Sequence, residues 1–148
     1  MCYLFLHGMD FSNNRELFPL TTRLIESIPQ GHYHHALLSA MAPNSHIIPH
    51  HGPTNRKLRC QLPIIIPNGK DQETGPKLRV GSEIKYLSEG KMIIFDDSFE
   101  HEAWNDCPSP RIVLIFDIWH PDFSAEEVRH FAFATSMSYF LGEVSPIC

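Results

Sequence analysis

IPHHGPTN, residues 48–55, sets two histidines ahead of a Gly-Pro turn, a position from which an imidazole can serve a metal. A metal that activates oxygen commonly takes a carboxylate two residues after such a histidine, and here that position is Gly52. Another histidine, His101, lies in IIFDDSFEHEAW, where the polar bend Asp96-Asp97-Ser98 separates two β-like runs. Strands from opposite parts of a barrel could bring His50 and His101 onto one metal, because non-haem iron sites use distant histidines and keep positions open. Taken singly, each histidine is better read as an ordinary polar residue near a strand end. Asp96 and Asp97 are likewise better read as caps of the bend than as ligands.

Arg111 follows His101 by ten residues across NDCPSP, which predicts that the two sit on neighbouring antiparallel strands. Alternation in RIVLIFDIWH puts Arg111, Val113, Ile115, Asp117 and Trp119 on one face. Both faces are largely apolar, so this strand is expected to be buried on both sides. Arg111 then either sits at a rim paired with Glu102 or Asp117, or meets an anion in a cavity, where a guanidinium grips a carboxylate through two parallel hydrogen bonds. Arg59 and Gln61 share a face of LRCQLPIII with Pro63 and Ile65. That face either lines a cavity or is the solvated side of an edge strand; Pro63 points to an edge or a bulge.

The elements that must hold these residues are mostly strands. CYLFL, HHALLSAM, SHIIPH, LRCQLPIII, KLRVGSEIKYL, KMIIFDD, HEAW and RIVLIFDIWH are short and punctuated by Gly, Pro, Asn and Asp. Many short strands predict a sandwich or barrel and not βαβ units. PLTTRLIESIPQG predicts a helix with Pro19 in its first turn, with Leu20, Leu24 and Ile28 along one face and Ile25 beside them. Residues 69–76 predict a polar loop. Ser124 and Glu127 form a capping-box pattern ahead of a second helix carrying Val128, Phe131 and Thr135, with Gly142 at its end.

At 148 residues the chain predicts one domain spanning 1–148. A formal charge of −5 speaks against nucleic acid as a partner. Four scattered cysteines without a C-x-x-C pair exclude a zinc ribbon and predict free thiols in a reducing compartment. The apolar run at residues 2–6 is too short for a signal-peptide core, and no run approaches the ~20 apolar residues of a membrane span. The expectation is a soluble, cytoplasmic protein with no membrane partner.

IPHHGPTNRKLR, then EGKMIIFDDSFEHEAW, then PRIVLIFDIWHPDF, in that order, resemble the aspartyl/asparaginyl β-hydroxylase family. FPLTTRLIESIPQ and LLSAMAPNSHIIPH extend the resemblance, which runs from about Phe18 to Phe123. It implies a mainly β fold, a double-stranded β-helix or cupin-like jelly-roll barrel with flanking helices. It also implies Fe(II), with 2-oxoglutarate and molecular oxygen as cosubstrates. By the resemblance His50 and His101 are the catalytic iron ligands, and Arg111 and Ser39 hold the distal carboxylate of 2-oxoglutarate. Arg59 contacts acidic groups of cosubstrate or substrate, and His51 lies beside the ligands or in solvent. Gly52 is a match, since the family's animal protein hydroxylases also carry His-x-Gly; water can complete the iron shell. Gln61 stands where relatives usually have a cosubstrate-holding histidine, and it can hydrogen-bond but cannot become cationic. The implied activity is hydroxylation of a C–H bond, with a protein, peptide or small molecule as substrate and the β-carbon of an Asp or Asn side chain as one target. One competing reading is a non-catalytic jelly-roll module that binds metal or a 2-oxo acid. Another is a zinc- or nickel-binding cupin-like hydrolase or isomerase, which two histidines without a carboxylate serve poorly.

Overall fold

The structure, a computed structural model, describes residues 1–7, 9–29, 32–67 and 75–140. Its order is β1 (Cys2–Leu6), α1 (Ser12–Leu17), α2 (Pro19–Glu26), β2 (His32–Met41), β3 (Ser45–His50), β4 (Lys57–Ile65), β5 (Lys77–Val80), β6 (Glu83–Tyr86), β7 (Ile93–Phe95), β8 (His101–Asn105), β9 (Arg111–Trp119) and α3 (Ala125–Phe140). The strands form a five-stranded sheet, β1-β2-β9-β4-β7, and a four-stranded sheet, β3-β8-β5-β6. From β2 onward the chain crosses between sheets at each connection except the β5–β6 hairpin. This order, with antiparallel pairing throughout, is that of an eight-stranded jelly roll, the double-stranded β-helix, with β1 added at one edge. The β5–β6 loop has two residues and Gly81 takes φ +56°, the left-handed conformation that such tight hairpins favour.

Two apolar clusters fix the arrangement. Leu78, Phe95 and Ala103 fill the space between the sheets, with Val80 and Ile93 against them. Leu4, Ile25, Ala36 and Leu114 seal the outer face of the larger sheet under α2, helped by Phe18 and Ile28. The alternation of β9 is satisfied on both sides: Leu114 and Phe116 face the helix layer, while Arg111, Val113 and Asp117 are buried on the inner face.

Several expectations need correction. His101 and Arg111 are not on paired strands, because β8 and β9 belong to opposite sheets and NDCPSP crosses between them. Pro63 is not on an edge strand; β4 lies between β9 and β7, and the proline sits at a bulge where the β4–β9 register slips. On α2 the buried residues are Thr22 and Ile25, while Leu20 and Leu24 are 62% and 61% exposed. A helix this short needs only one covered stripe, and that stripe is the one through Ile25. The capping box forms as expected: Ser124 N–H and Oγ donate to Glu127 Oε2 at 2.8 Å each, and Glu127 N–H donates to Ser124 Oγ at 3.3 Å. Gly142, most of the loop at 69–76 and the Thr135 side chain lie outside the described residues. Cys2 and Cys60 are free thiols. Among the described residues no helix is long and apolar enough to cross a membrane.

Candidate functional site

β3 and β8 are paired, and their register sets His50 opposite His101. The ring centroids are 4.1 Å apart. His50 Nδ1 is 2.8 Å from the Ile48 carbonyl, and His101 Nδ1 is 2.9 Å from the Phe99 carbonyl. A carbonyl oxygen only accepts, so each Nδ1 must carry the proton and each Nε2 keeps its lone pair. This is the tautomer and orientation in which metal-binding histidines are held by a backbone partner. His101 is buried, against Phe95, and His50 is exposed, so the corner has one open side. Burial lowers the His101 pKa, a shift partly opposed by its bond to Phe99, and keeps the ring neutral as ligation requires. His51 points elsewhere, with Nδ1 3.0 Å from the Ser98 carbonyl.

The place left by Gly52 is filled. Gly52 N–H donates to the Asp97 carbonyl at 2.6 Å, and a Cβ on Gly52 would overlap the Asp97 carboxyl group. Asp96, not Asp97, caps the bend, accepting from Ser98 N–H at 2.9 Å. Asp97 is wholly buried; its Oδ2 accepts from Lys57 Nζ at 2.7 Å and pairs with Arg59 Nη1 at 3.1 Å, while Oδ1 has no partner. Among the described residues no three His, Cys, Asp or Glu side chains form a metal cage, so two imidazoles would need non-protein ligands beside them.

On the inner face of the larger sheet, cross-strand register aligns Met41 with Arg111, Ser39 with Val113 and Pro63, Gln61 with Ile115 and Ile93, and Arg59 with Asp117 and Phe95. Ser39, Arg59, Gln61 and Arg111 therefore share one wall. Arg111 is 2% exposed, and its Nε and Nη1 have no partner. The sequence offered Glu102 and Asp117 as partners; Glu102 is instead engaged by Arg79 and His46, and Asp117 by Arg59, Lys57 and His35. Burial pushes Arg111 down to about 10, which still leaves it charged at neutral pH. An unpaired buried guanidinium is expensive unless an anion reaches it. Gln61 is buried as well, with Oε1 unpaired.

Arg59 is held by carboxylates of the chain itself. It is committed to Asp117, with Nε–Oδ1 at 3.0 Å and Nη2–Oδ2 at 3.1 Å, and to Asp97. Lys57 joins Asp97 to Asp117, 2.7 and 3.0 Å from them, and His35 Nδ1 lies 2.9 Å from Asp117 Oδ2. Burial works against ionisation of Asp117, but the His35 hydrogen bond and the Arg59 and Lys57 charges outweigh it, holding its carboxyl far below the ordinary range. The sequence assigned no role to His35 or Lys57, and offered Asp117 only as a partner for Arg111. An aspartate inside an otherwise apolar strand was the available signal, since strands are poor in Asp.

The sequence pattern defining the Aspartyl/Asparaginyl beta-hydroxylase family matches residues 1–121. The chain is 41% identical over 114 residues to the Aspartyl/asparaginyl beta-hydroxylase of Homo sapiens, covering 75% of this chain and 14% of that protein. It is 36% identical over 132 residues to Aspartate beta-hydroxylase domain-containing protein 2 of Homo sapiens, covering 84% and 34%. It is also 34% identical over 119 residues to the Ornithine lipid ester-linked acyl 2-hydroxylase of Rhizobium tropici, covering 80% and 41%. The chain thus spans less than half the length of each of these relatives. Among solved structures, the Cupin_2 domain of an XRE family transcriptional regulator from Enterobacter cloacae aligns with a TM-score of 0.46 at 11% identity, over 58% of this chain and 81% of that one. With the paired imidazoles, the glycine after them and the buried arginine all inside residues 1–121, this chain belongs to the aspartyl/asparaginyl beta-hydroxylase family.

Proposed function

We propose that the chain is a hydroxylase domain that uses Fe(II) and 2-oxoglutarate to insert oxygen into a C–H bond. The observation that carries this reading is a pairing of unmet needs. Two imidazoles with ring centroids 4.1 Å apart have their Nδ1 atoms, not their Nε2 atoms, engaged by backbone carbonyls, and a buried guanidinium on the inner wall has two nitrogens without a partner. A metal ion and a dicarboxylate satisfy both. In this reading His50 and His101 hold the iron, which when bound supplies the oxygen chemistry. Arg111, with Ser39 diagonal to it across β2 and β9, grips the distal carboxylate of the cosubstrate. Gln61, farther along the same wall, hydrogen-bonds the cosubstrate as a neutral group. Lys57 and Arg59 fix the Asp97 carboxylate beside Gly52.

The relatives' names include an aspartyl/asparaginyl beta-hydroxylase and an ornithine lipid ester-linked acyl 2-hydroxylase. The substrate class proposed for this chain is a protein, peptide or small molecule offering an unactivated C–H bond, with an Asp or Asn β-carbon as one target. The test is turnover of 2-oxoglutarate with Fe(II), followed as succinate formed. His101→Ala is expected to abolish it, and Arg111→Ala to raise the cosubstrate concentration required. Succinate formed at the wild-type rate by His101→Ala would overturn the ligand assignment.

A further inference from the structure

The two sheets end in β1, β7, β3 and β6. A sheet edge leaves backbone N–H and C=O groups for another strand, and folded proteins usually spoil such edges. Here β1 and β3 are interrupted by register shifts, β3 also carries Pro49, and β7 stops after three residues. β6 carries none of these devices. It pairs with β5 in unbroken register from Glu83 to Tyr86, and its sequence EIKY contains no proline. All of its residues are exposed, and no described strand pairs with its other side.

The hairpin settles which backbone groups point outward. Val80 and Glu83 flank its two-residue loop, and beyond the strand Leu87 N–H donates to the Pro76 carbonyl at 2.8 Å. Bonding in an antiparallel ladder alternates from one residue to the next. Glu83, Lys85 and Leu87 therefore turn their backbone groups to β5, while Ile84 and Tyr86 turn theirs away from the sheet. Side chains alternate too, so Glu83 and Lys85 share one face and Ile84 and Tyr86 the other. Ile84 is 50% exposed and Tyr86 38%. Among the described residues neither Glu83 nor Lys85 has an ion-pair partner.

This edge is complementary to itself. With a second β6 laid antiparallel across a two-fold axis at Ile84, Ile84 exchanges both backbone hydrogen bonds with its counterpart, and the two isoleucine side chains meet. Glu83 then lies opposite the partner's Lys85, and Lys85 opposite the partner's Glu83. Both pairs fall at non-hydrogen-bonded positions, where side chains approach most closely. Sliding the partner by two residues, the smallest slip that keeps the bonding, sets Lys85 against Lys85 or Glu83 against Glu83, and like charges directly opposite oppose it. We propose that β6 is a self-association edge, through which two copies of this chain join their four-stranded sheets by antiparallel pairing centred on Ile84. Such an interface uses the same patch on both copies and closes at two. β6 and β3 are opposite edges of the sheet, so the pairing leaves the His50–His101 corner uncovered in each copy. The inference is independent of the hydroxylase reading.

The test is sedimentation equilibrium of the full chain. Small interfaces are transient, so loading runs up to about 1 mM. Ionic strength is kept low, where exposed ion pairs are least screened. The wild type is expected to pass from the mass of one chain to that of two and no further. Glu83→Lys and Lys85→Glu each set two like-charged pairs across the axis, and each is expected to weaken association about tenfold. Mixed in equal amounts, the two variants regain both opposite-charge pairs. They are expected to form a one-to-one dimer with an affinity within about threefold of the wild type. That recovery also shows that both variants fold. A wild type that stays a single chain throughout, association unchanged in either variant, or a mixture no stronger than its components would overturn the proposal. Assembly beyond two copies would overturn it as well, because this pairing closes.

Discussion

Arg111 is a buried cation whose Nε and Nη1 have no partner among the described residues. A guanidinium with two unpaired nitrogens, 2% exposed, costs free energy in the empty protein. Arg111→Met keeps most of the volume and removes the charge. It should raise the unfolding free energy of the ligand-free protein by roughly 1–3 kcal/mol, read by urea titration. If the proposed function holds, 2-oxoglutarate with Mn(II) should raise the thermal midpoint of the wild type, and the same variant should lose that rise. Gly52 makes the converse case. Its missing Cβ leaves room for the Asp97 carboxyl, and Gly52→Ala should destabilise the turn by about 1–3 kcal/mol and disturb the slot. The role of Gly52 as a match was legible from the motif, but the group filling its place was not. Asp97 is 45 residues away, and only the folded β7–β8 bend brings it there.

At the scale of elements, strand alternation was the informative signal. It put Arg59 with Gln61, and Arg111 with Asp117, on shared faces, because a strand repeats every two residues whatever its partners are, and left open which of those faces points inward. Sheet membership was not legible. A short Pro-containing turn after His101 looks like a hairpin, yet it links two sheets, since jelly-roll connections cross between layers. The charge network was missed for the same reason: Lys57, Arg59, Asp117 and His35 come from three strands whose adjacency is set by sheet order. That network ties β2, β4 and β9 together, and Asp97 links it to the bend before β8. Asp117→Asn leaves Lys57 and Arg59 short of a buried counter-charge, and should cost about 3–5 kcal/mol in denaturant unfolding.

For the whole molecule, acid sensitivity follows from buried histidines. Burial lowers His7 to about 4, helped by His35 and His34, and lowers His32 to about 4, helped by His34. In the unfolded chain these rings take protons near the ordinary value of about 6.5, so on acidification the unfolded state binds protons first. Their contribution to stability is complete above about pH 6.5 and is lost as pH falls towards 4. The depressed Asp117 carboxyl adds a loss of the same sign at lower pH. Thermal midpoints should therefore be flat above neutrality and fall through that window, and His32→Gln should flatten the fall. A midpoint independent of pH from 7 to 4 would contradict this account.

The most direct test of the central claim is an anaerobic titration with Fe(II) and 2-oxoglutarate followed in the visible region. The account predicts a weak charge-transfer band that needs both components, disappears in His50→Ala and His101→Ala, and needs far more 2-oxoglutarate in Arg111→Ala. Iron that binds without producing the band, or a band that persists when both histidines are replaced, would contradict it.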